Sequence, residues 1–151
     1  MNPIVVVSDS HGRLPKTERF LTVLDECDYI FHLGDGLADI DFLKKSYGGK
    51  VQYVLGNCDG GSGYKCLVIE KVKFFLTHGH DYGVKSTALP LVLAAQEQDA
   101  RYALFGHTHI PVIEDVQGIT LINPGSVGML STYCYITVSG GKAYAKTVYL
   151  Q

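Results

Sequence analysis

Short apolar runs alternate with amphipathic stretches along the first part of the chain. Residues 4–7, 29–33 and 51–55 are apolar runs that predict buried strands. Between them, residues 15–26 carry apolar side chains at helical spacing and residues 38–47 end at a Gly-Gly pair, so both segments predict helices. Strands that alternate with helices imply parallel pairing through helical crossovers.

The second half of the chain is richer in strands. The pattern predicts strands at residues 66–70, 73–77, 101–105, 112–116, 119–122, 132–138 and 143–149. One further helix is predicted over residues 84–98, although Pro90 interrupts it. Short connections between the later strands imply antiparallel pairing. We therefore predict one α/β domain over residues 1–151, with two packed sheets and helices outside them.

Composition and charge narrow the classes of function. The 151 residues carry 13 Lys and Arg against 15 Asp and Glu, which gives a net charge of −2. A chain without a basic run is not expected to form a nucleic-acid groove. The first residues show no signal-peptide pattern, no apolar run is long enough to span a bilayer, and the four cysteines form no C-x-x-C pair. These features predict a cytoplasmic protein with free thiols and no membrane association.

Polar side chains follow five of the predicted strands at their carboxyl ends. The loops that carry them all contain glycine, which allows tight bends close to a ligand. The carboxyl ends of strands are where open α/β sheets bind ligands, so we expect these side chains to converge on one site. They are Asp9, His11, Asp35, Asn57, His78, His80, His107 and His109.

The donor types and their spacing predict that this site binds metal. Imidazole, carboxylate and amide donors without a thiolate suit Mn, Fe, Zn, Ni or Co. Residues two apart on an extended segment share a face, so Asp9 with His11, and His107 with His109, can bind one ion. The candidate donors exceed the needs of one ion but suffice for two ions that share a carboxylate.

Simpler structural roles are open for several of these residues. The loop Asp and His residues could cap the sheet without binding an ion. His80 could contact substrate, orient a ligand or take no part in the site. His32 lies within a predicted strand and is interpreted as a histidine with satisfied hydrogen bonds. The Asn-Pro-Gly-Ser segment at residues 123–126 is interpreted as a structural turn.

Six motifs follow one another between residues 8 and 126. They are Asp9-Ser10-His11, Gly34-Asp35, Gly56-Asn57-Cys58-Asp59, Thr77-His78-Gly79-His80, Gly106-His107-Thr108-His109 and Asn123-Pro124-Gly125-Ser126. This set resembles the calcineurin-like metallophosphoesterases, in particular their small bacterial and archaeal phosphodiesterase branch. The resemblance implies a four-layer α-β-β-α sandwich of two mixed sheets flanked by helices. It also implies an enzyme that hydrolyses a small phosphoester with two divalent ions, Mn²⁺ by preference and Fe, Ni, Co or Zn as alternatives.

The resemblance also assigns roles to individual residues. It implies a first metal position formed by Asp9, His11, Asp35 and His109, and a second formed by Asp35, Asn57, His78 and His107. Asp35 would bridge the ions and so take part in catalysis. A water molecule shared by the two ions would attack phosphorus in line. Asn57 and His80 would contact the substrate, and His80 would also be a candidate proton donor.

Two positions depart from the family pattern. Cys58 stands where many relatives have a histidine that protonates the leaving group, which leaves that step to His80, Asp59 or solvent. Residues 127–131 lack the Pro-Arg pair that often follows Asn-Pro-Gly-Ser in relatives. These departures keep two alternatives open: a non-enzymatic scaffold, as in a subunit of the eukaryotic retromer coat, and hydrolysis of phosphomonoesters or pyrophosphates. Pairing of exposed strand edges into a homo-oligomer is also open.

Overall fold

A computed structural model of the chain describes residues 2–150. Within this range the strands are β1 (Ile4–Val7), β2 (Tyr29–His32), β3 (Val51–Tyr53), β4 (Tyr64–Ile69), β5 (Val72–Thr77), β6 (Tyr102–Leu104), β7 (Val112–Val116), β8 (Ile119–Asn123), β9 (Thr132–Ser139) and β10 (Lys142–Tyr149). The α-helices are α1 (Glu18–Glu26), α2 (Leu37–Tyr47) and α3 (Leu89–Glu97). Short 3-10 helices lie at Gly48–Lys50, Asn57–Asp59 and His80–Tyr82.

The strands form two mixed sheets of five strands each. The first has the order β10-β9-β1-β2-β3, and the second has the order β4-β5-β6-β8-β7. Parallel pairs join β1 to β2, β2 to β3, β5 to β6 and β6 to β8. The remaining pairs are antiparallel, as the short connections in the second half of the chain predict.

Alternate residues of the buried strands face two different apolar layers. Ile4 and Val6 of β1 pack with Phe74 of β5 in a core between the sheets. Val5 and Val7 point to the other face, where they pack with residues of α1 and α2. Helix α3 packs against the outer face of the second sheet in a third cluster. The prediction of a four-layer sandwich with two mixed sheets and flanking helices is therefore confirmed.

Two helix boundaries differ from those predicted. The helix predicted from residue 15 begins at Glu18, because the Thr17 hydroxyl caps it by accepting a hydrogen bond of 3.3 Å from the Phe20 N–H. The helix predicted over residues 84–98 begins only at Leu89. Pro90 lies in its first turn, where the missing N–H would have no partner within the helix. Proline therefore marks a helix start here and not an interruption.

The loops at the carboxyl ends of the parallel strands are joined by backbone hydrogen bonds. The Asp9 N–H donates to the Gly34 carbonyl at 2.9 Å, and the Gly106 N–H donates to the His78 carbonyl at 2.9 Å. The first bond joins two loops of the first sheet and the second joins two loops of the second sheet. The His107 N–H donates to Asp9 Oδ2 at 3.0 Å and so connects the loops of the two sheets at one edge of the sandwich. The four cysteines are free, as predicted. None of the helices in the described part of the chain has the length and apolar character needed to cross a membrane.

Candidate metal centre

Asp9 lies at the bottom of the site and is fully buried. Its Oδ2 accepts hydrogen bonds from the Ser8 hydroxyl at 2.6 Å and from the His107 N–H at 3.0 Å. Its Oδ1 has no hydrogen-bond partner among the described residues, and the Nε2 atoms of His109 and His11 lie 3.1 and 3.8 Å away. A buried carboxylate oxygen without a partner is costly, so this atom calls for a cation.

His78 presents a second buried atom without a partner. Its Nδ1 lies 2.8 Å from the Leu33 carbonyl oxygen, which can only accept, so Nδ1 carries the proton and Nε2 has a free lone pair. That Nε2 lies 3.2 Å from Asp35 Oδ2 and 3.8 Å from Asp9 Oδ1, and it has no hydrogen-bond partner among the described residues. Three electron-rich atoms thus face one another. An imidazole oriented through its other nitrogen is the usual arrangement of a metal-binding histidine.

The candidate donors form two groups. Donor atoms of Asp9, His11 and His109 lie within 4.8 Å of one another, and so do donor atoms of Asp35, His78 and His107. Donor atoms of His11, Asp35 and Cys58 form a third group within the same distance, so Asp35 stands next to both sets of candidate ligands. Burial lowers the pKa of His107, and the neighbouring His78 and Lys85 lower it further. The neutral imidazole is the form that binds a metal ion.

The backbone is left-handed at five of the candidate ligands. The φ angles are 53° at Asp9, 48° at His11, 62° at Asp35, 69° at His107 and 70° at His109. Residues other than glycine adopt this conformation rarely, and it costs about 1–3 kcal/mol at each position. Strain of this kind gathers where side chains are held for function, which argues against a role as simple sheet caps.

Two glycines allow the loops to approach the carboxylates. A Cβ atom at Gly56 would overlap Asp35 Oδ1, and a Cβ atom at Gly106 would overlap Ser8 Oγ and Asp9 Oδ2. Any larger residue would therefore displace a buried carboxylate. This explains why both loops carry glycine immediately before a candidate ligand.

Asp59 anchors the loops around Asp35, a role that sequence reasoning missed. Its two carboxylate oxygens accept hydrogen bonds from the N–H groups of Asp35 at 2.7 Å, Gly36 at 3.0 Å, Leu37 at 3.2 Å and Gly56 at 2.9 Å. Burial alone would raise the pKa of Asp59, but the bonds from Gly56, Asp35 and Gly36 outweigh it and the pKa lies below its usual value. A carboxylate held ionised in this way is a poor proton donor. Asp59 is therefore removed from the candidates for leaving-group protonation.

The remaining candidates border the two donor groups. The ring centre of His80 lies 5.5 Å from that of His78 and 6.1 Å from that of His107. Its Nδ1 is buried with no hydrogen-bond partner among the described residues, while its Nε2 is 3.4 Å from Asp81 Oδ1. His80 thus stands beside the second donor group, where it can contact a substrate.

Asn57 and Cys58 are exposed at the mouth of the site. Asn57 begins the 3-10 helix Asn57–Asp59, and its side-chain nitrogen lies 3.9 Å from Cys58 Sγ. An open cleft of about 280 Å³ reaches Asp35 from solvent. It is lined by His11, Gly12, Asp35, Gly36, Leu37, Cys58 and Asp59.

The Asn-Pro-Gly-Ser segment supports the site from outside, as its interpretation as a structural turn predicts. The Asn123 amide donates to the Gly106 carbonyl at 3.1 Å and to Thr108 Oγ1 at 3.0 Å. The Ser126 hydroxyl donates to the Asp9 carbonyl at 2.8 Å. Both side chains hold the loops that carry candidate ligands, and neither is placed as a nucleophile.

Comparison with known proteins supports the fold and identifies the family. The probable metallophosphoesterase of Mycoplasma pneumoniae is 32% identical over 154 residues, covering 94% of this chain and 93% of that protein. Phosphodiesterase YfcE of Escherichia coli is 31% identical over 156 residues, covering 85% and 81%. The crystal structure of Vps29 from Chaetomium thermophilum superposes with a TM-score of 0.80 at 17% identity, covering 99% and 98% of the two chains, which shows a shared fold. The family model described as the calcineurin-like phosphoesterase superfamily domain matches residues 2–141, and the chain therefore belongs to that superfamily.

Proposed function

We propose that this protein is a phosphodiesterase that depends on two divalent metal ions sharing Asp35. One observation carries the proposal: Asp9 Oδ1 and His78 Nε2 are buried 3.8 Å apart and neither has a hydrogen-bond partner among the described residues. Without a cation this arrangement is unfavourable. Two divalent ions, one bound by each atom, would satisfy both atoms.

The residues fit two ions in the arrangement that the family resemblance implies. Asp9, His11 and His109 would hold the first ion and His78 and His107 the second, with Asp35 shared between them. The resemblance adds Asn57 to the ligands of the second ion. Oxygen and imidazole donors suit Mn, Fe, Ni, Co and Zn, and the family resemblance favours Mn²⁺ among them. Two such ions would polarise a phosphoester and lower the pKa of water, which is the chemistry the site requires.

The protein supplies orientation and charge balance for that chemistry. Leu33 fixes the tautomer of His78 so that Nε2 faces the site. Asn57 offers a neutral amide at the exposed mouth, which adds no negative charge where an anionic phosphate must approach. We assign substrate contact and proton donation to His80, whose buried Nδ1 beside the second donor group supports this role.

Metal dependence is the first test of the proposal. Protein freed of metal with EDTA and supplied with Mn²⁺, Ni²⁺, Co²⁺, Fe²⁺ or Zn²⁺ should release nitrophenol from bis-p-nitrophenyl phosphate, and excess EDTA should abolish the activity. p-Nitrophenyl phosphate and pyrophosphate, assayed in parallel, decide whether monoester or pyrophosphate hydrolysis is preferred. The absence of turnover with every metal and substrate would favour the alternative, a non-enzymatic scaffold of this fold. Against that alternative, all the candidate ligand positions hold metal-binding side chains.

The dependence of the hydrolysis rate on the leaving group tests the role of Cys58. A thiol is a weaker general acid than an imidazolium at neutral pH, so the wild-type rate should fall as the pKa of the leaving alcohol rises. A Cys58→His variant should accelerate esters of weakly acidic alcohols by about 10²-fold and flatten the dependence on leaving-group pKa. The matched control is Cys58→Ser, which should keep the steep dependence of the wild type. Equal wild-type rates across the series would contradict this interpretation.

A further inference from the structure

His32 is a fully buried histidine that lies outside the candidate ligand set, at the end of β2. The Gly34 N–H donates to its Nδ1 at 3.1 Å, so Nδ1 carries no proton. The neutral ring must then carry its proton on Nε2, which donates to Ser10 Oγ at 2.8 Å. Burial lowers the pKa of His32 to about 4, against the opposing effect of Asp39, Asp59 and Asp9. The ring is therefore neutral and has one defined tautomer at neutral pH.

The two partners of His32 lie in two of the loops that carry candidate ligands of the first sheet. Ser10 is fully buried between Asp9 and His11, and Gly34 precedes Asp35. The same loops are joined by backbone bonds of 2.9 Å, from the Asp9 N–H to the Gly34 carbonyl and from the His11 N–H to the Asp35 carbonyl. The hydrogen bonds of the His32 ring thus connect the same two loops that these backbone hydrogen bonds already join.

The Ser10 hydroxyl packs closely against Gly36 as well as against the His32 ring. A Cβ atom at Gly36 would overlap Ser10 Oγ and would lie 2.9 Å from His32 Nε2. The hydroxyl is therefore enclosed between the His32 ring and the backbone at Gly36. This enclosure bears on Asp9, His11 and Asp35, whose left-handed backbones need surrounding contacts to persist.

We propose that His32 is a positioning residue for both metal positions: through Ser10 it holds Asp9 and His11, and through Gly34 it holds Asp35. This inference rests on the proposed function, since it concerns ligands of the same site. It predicts that the hydrogen bonds of His32 set the affinity for metal as well as the stability of the fold.

Two amide substitutions separate the hydrogen bonds of the ring. In His32→Gln the side-chain nitrogen can take the place of Nε2 and keep the bond to Ser10. In His32→Asn the side-chain oxygen can take the place of Nδ1 and keep only the bond from Gly34. Ser10→Ala removes the hydroxyl and leaves the ring intact. A matched control is Tyr102→Phe, which removes a partly buried hydrogen bond of 3.0 Å from the Ala143 N–H, at the end of β6 that is far from His107.

Calorimetric titration of metal-free protein with MnCl₂ tests the proposal, with thermal unfolding in EDTA as the second readout. We expect Mn²⁺ affinity to fall about 10–100-fold in Ser10→Ala and in His32→Asn, less in His32→Gln, and not at all in Tyr102→Phe. The double variant His32→Asn/Ser10→Ala should lose no more Mn²⁺ affinity than either single variant. Both substitutions remove the same hydrogen bond, the one between His32 and Ser10. If the His32→Asn variant does not fold, the Mn²⁺ affinity of Ser10→Ala alone tests the proposal.

The outcomes distinguish this inference from the proposed function. Unchanged Mn²⁺ affinity in Ser10→Ala and His32→Asn, or losses that simply add in the double variant, would overturn the role of His32. Lower stability in these variants with wild-type affinity would give His32 a structural role only and would overturn it equally. Wild-type protein that binds no Mn²⁺ would instead contradict the proposed function, and the inference would fall with it.

Discussion

Replacing Asp35 with Asn is expected to lower metal-dependent hydrolysis by about a thousandfold while leaving the metal-free protein at least as stable as the wild type. The loss of rate follows because Asp35 is the proposed shared ligand, and ions held there would supply several kcal/mol of transition-state stabilisation, about 10³-fold in rate. The stability follows from the local contacts. Asp35 Oδ2 faces the free lone pair of His78 Nε2 at 3.2 Å, and the Asn amide could donate to that atom.

Opposite effects on activity and stability would identify Asp35 as a residue kept for function. The rate is measured at saturating Mn²⁺, and the stability is measured by thermal unfolding in EDTA. Asp41→Asn is the matched control, because Asp41 is an exposed carboxylate on the neighbouring helix α2 and should change neither quantity. An Asp35→Asn variant that is less stable in EDTA but fully active would contradict the proposed role.

Replacing Asp59 with Asn is expected to destabilise the fold by about 2–4 kcal/mol at neutral pH. Each carboxylate oxygen of Asp59 accepts two backbone N–H groups, and an Asn side chain would turn its NH₂ group toward two of these donors. Because the pKa of Asp59 is lowered in the folded state, its contribution is present above the ordinary pKa of an aspartate. It is lost as the pH falls through the lowered value, so the difference between variant and wild type should shrink in acid.

Urea unfolding at neutral and acidic pH measures this difference directly. Glu114→Gln is the control, since Glu114 is an exposed carboxylate on β7 and its neutralisation should have little effect at either pH. A destabilisation of the same size at both pH values would show that the charge of Asp59 is not what anchors the loops.

The hydrophobic pattern predicted the architecture because a strand buried on both of its faces appears in the sequence as a continuous apolar run. In β1, the adjacent residues Ile4 and Val5 pack into two different cores, so the strand must be apolar throughout. The helix starts were harder to predict, since Thr17 and Pro90 each support more than one local interpretation. Which one holds depends on the hydrogen bonds and packing of the first turn.

The candidate ligands could be found from sequence because each follows a strand within a short motif. The residues that hold them could not. Asp59 and His32 act through hydrogen bonds to loops that are distant along the chain. His32 bonds to Ser10 and Asp59 bonds to Gly36, and no rule of sequence spacing predicts either bond. The extent of the domain, the cellular location and the oligomeric state stay predictions.

The dinuclear site itself is tested most directly by anomalous diffraction from crystals grown with Mn²⁺. We expect two anomalous peaks, one contacting Asp9, His11 and His109 and the other contacting His78 and His107, with Asp35 bound to both. A single peak that does not contact Asp35, or no peak among these side chains in crystals containing Mn²⁺, would contradict it.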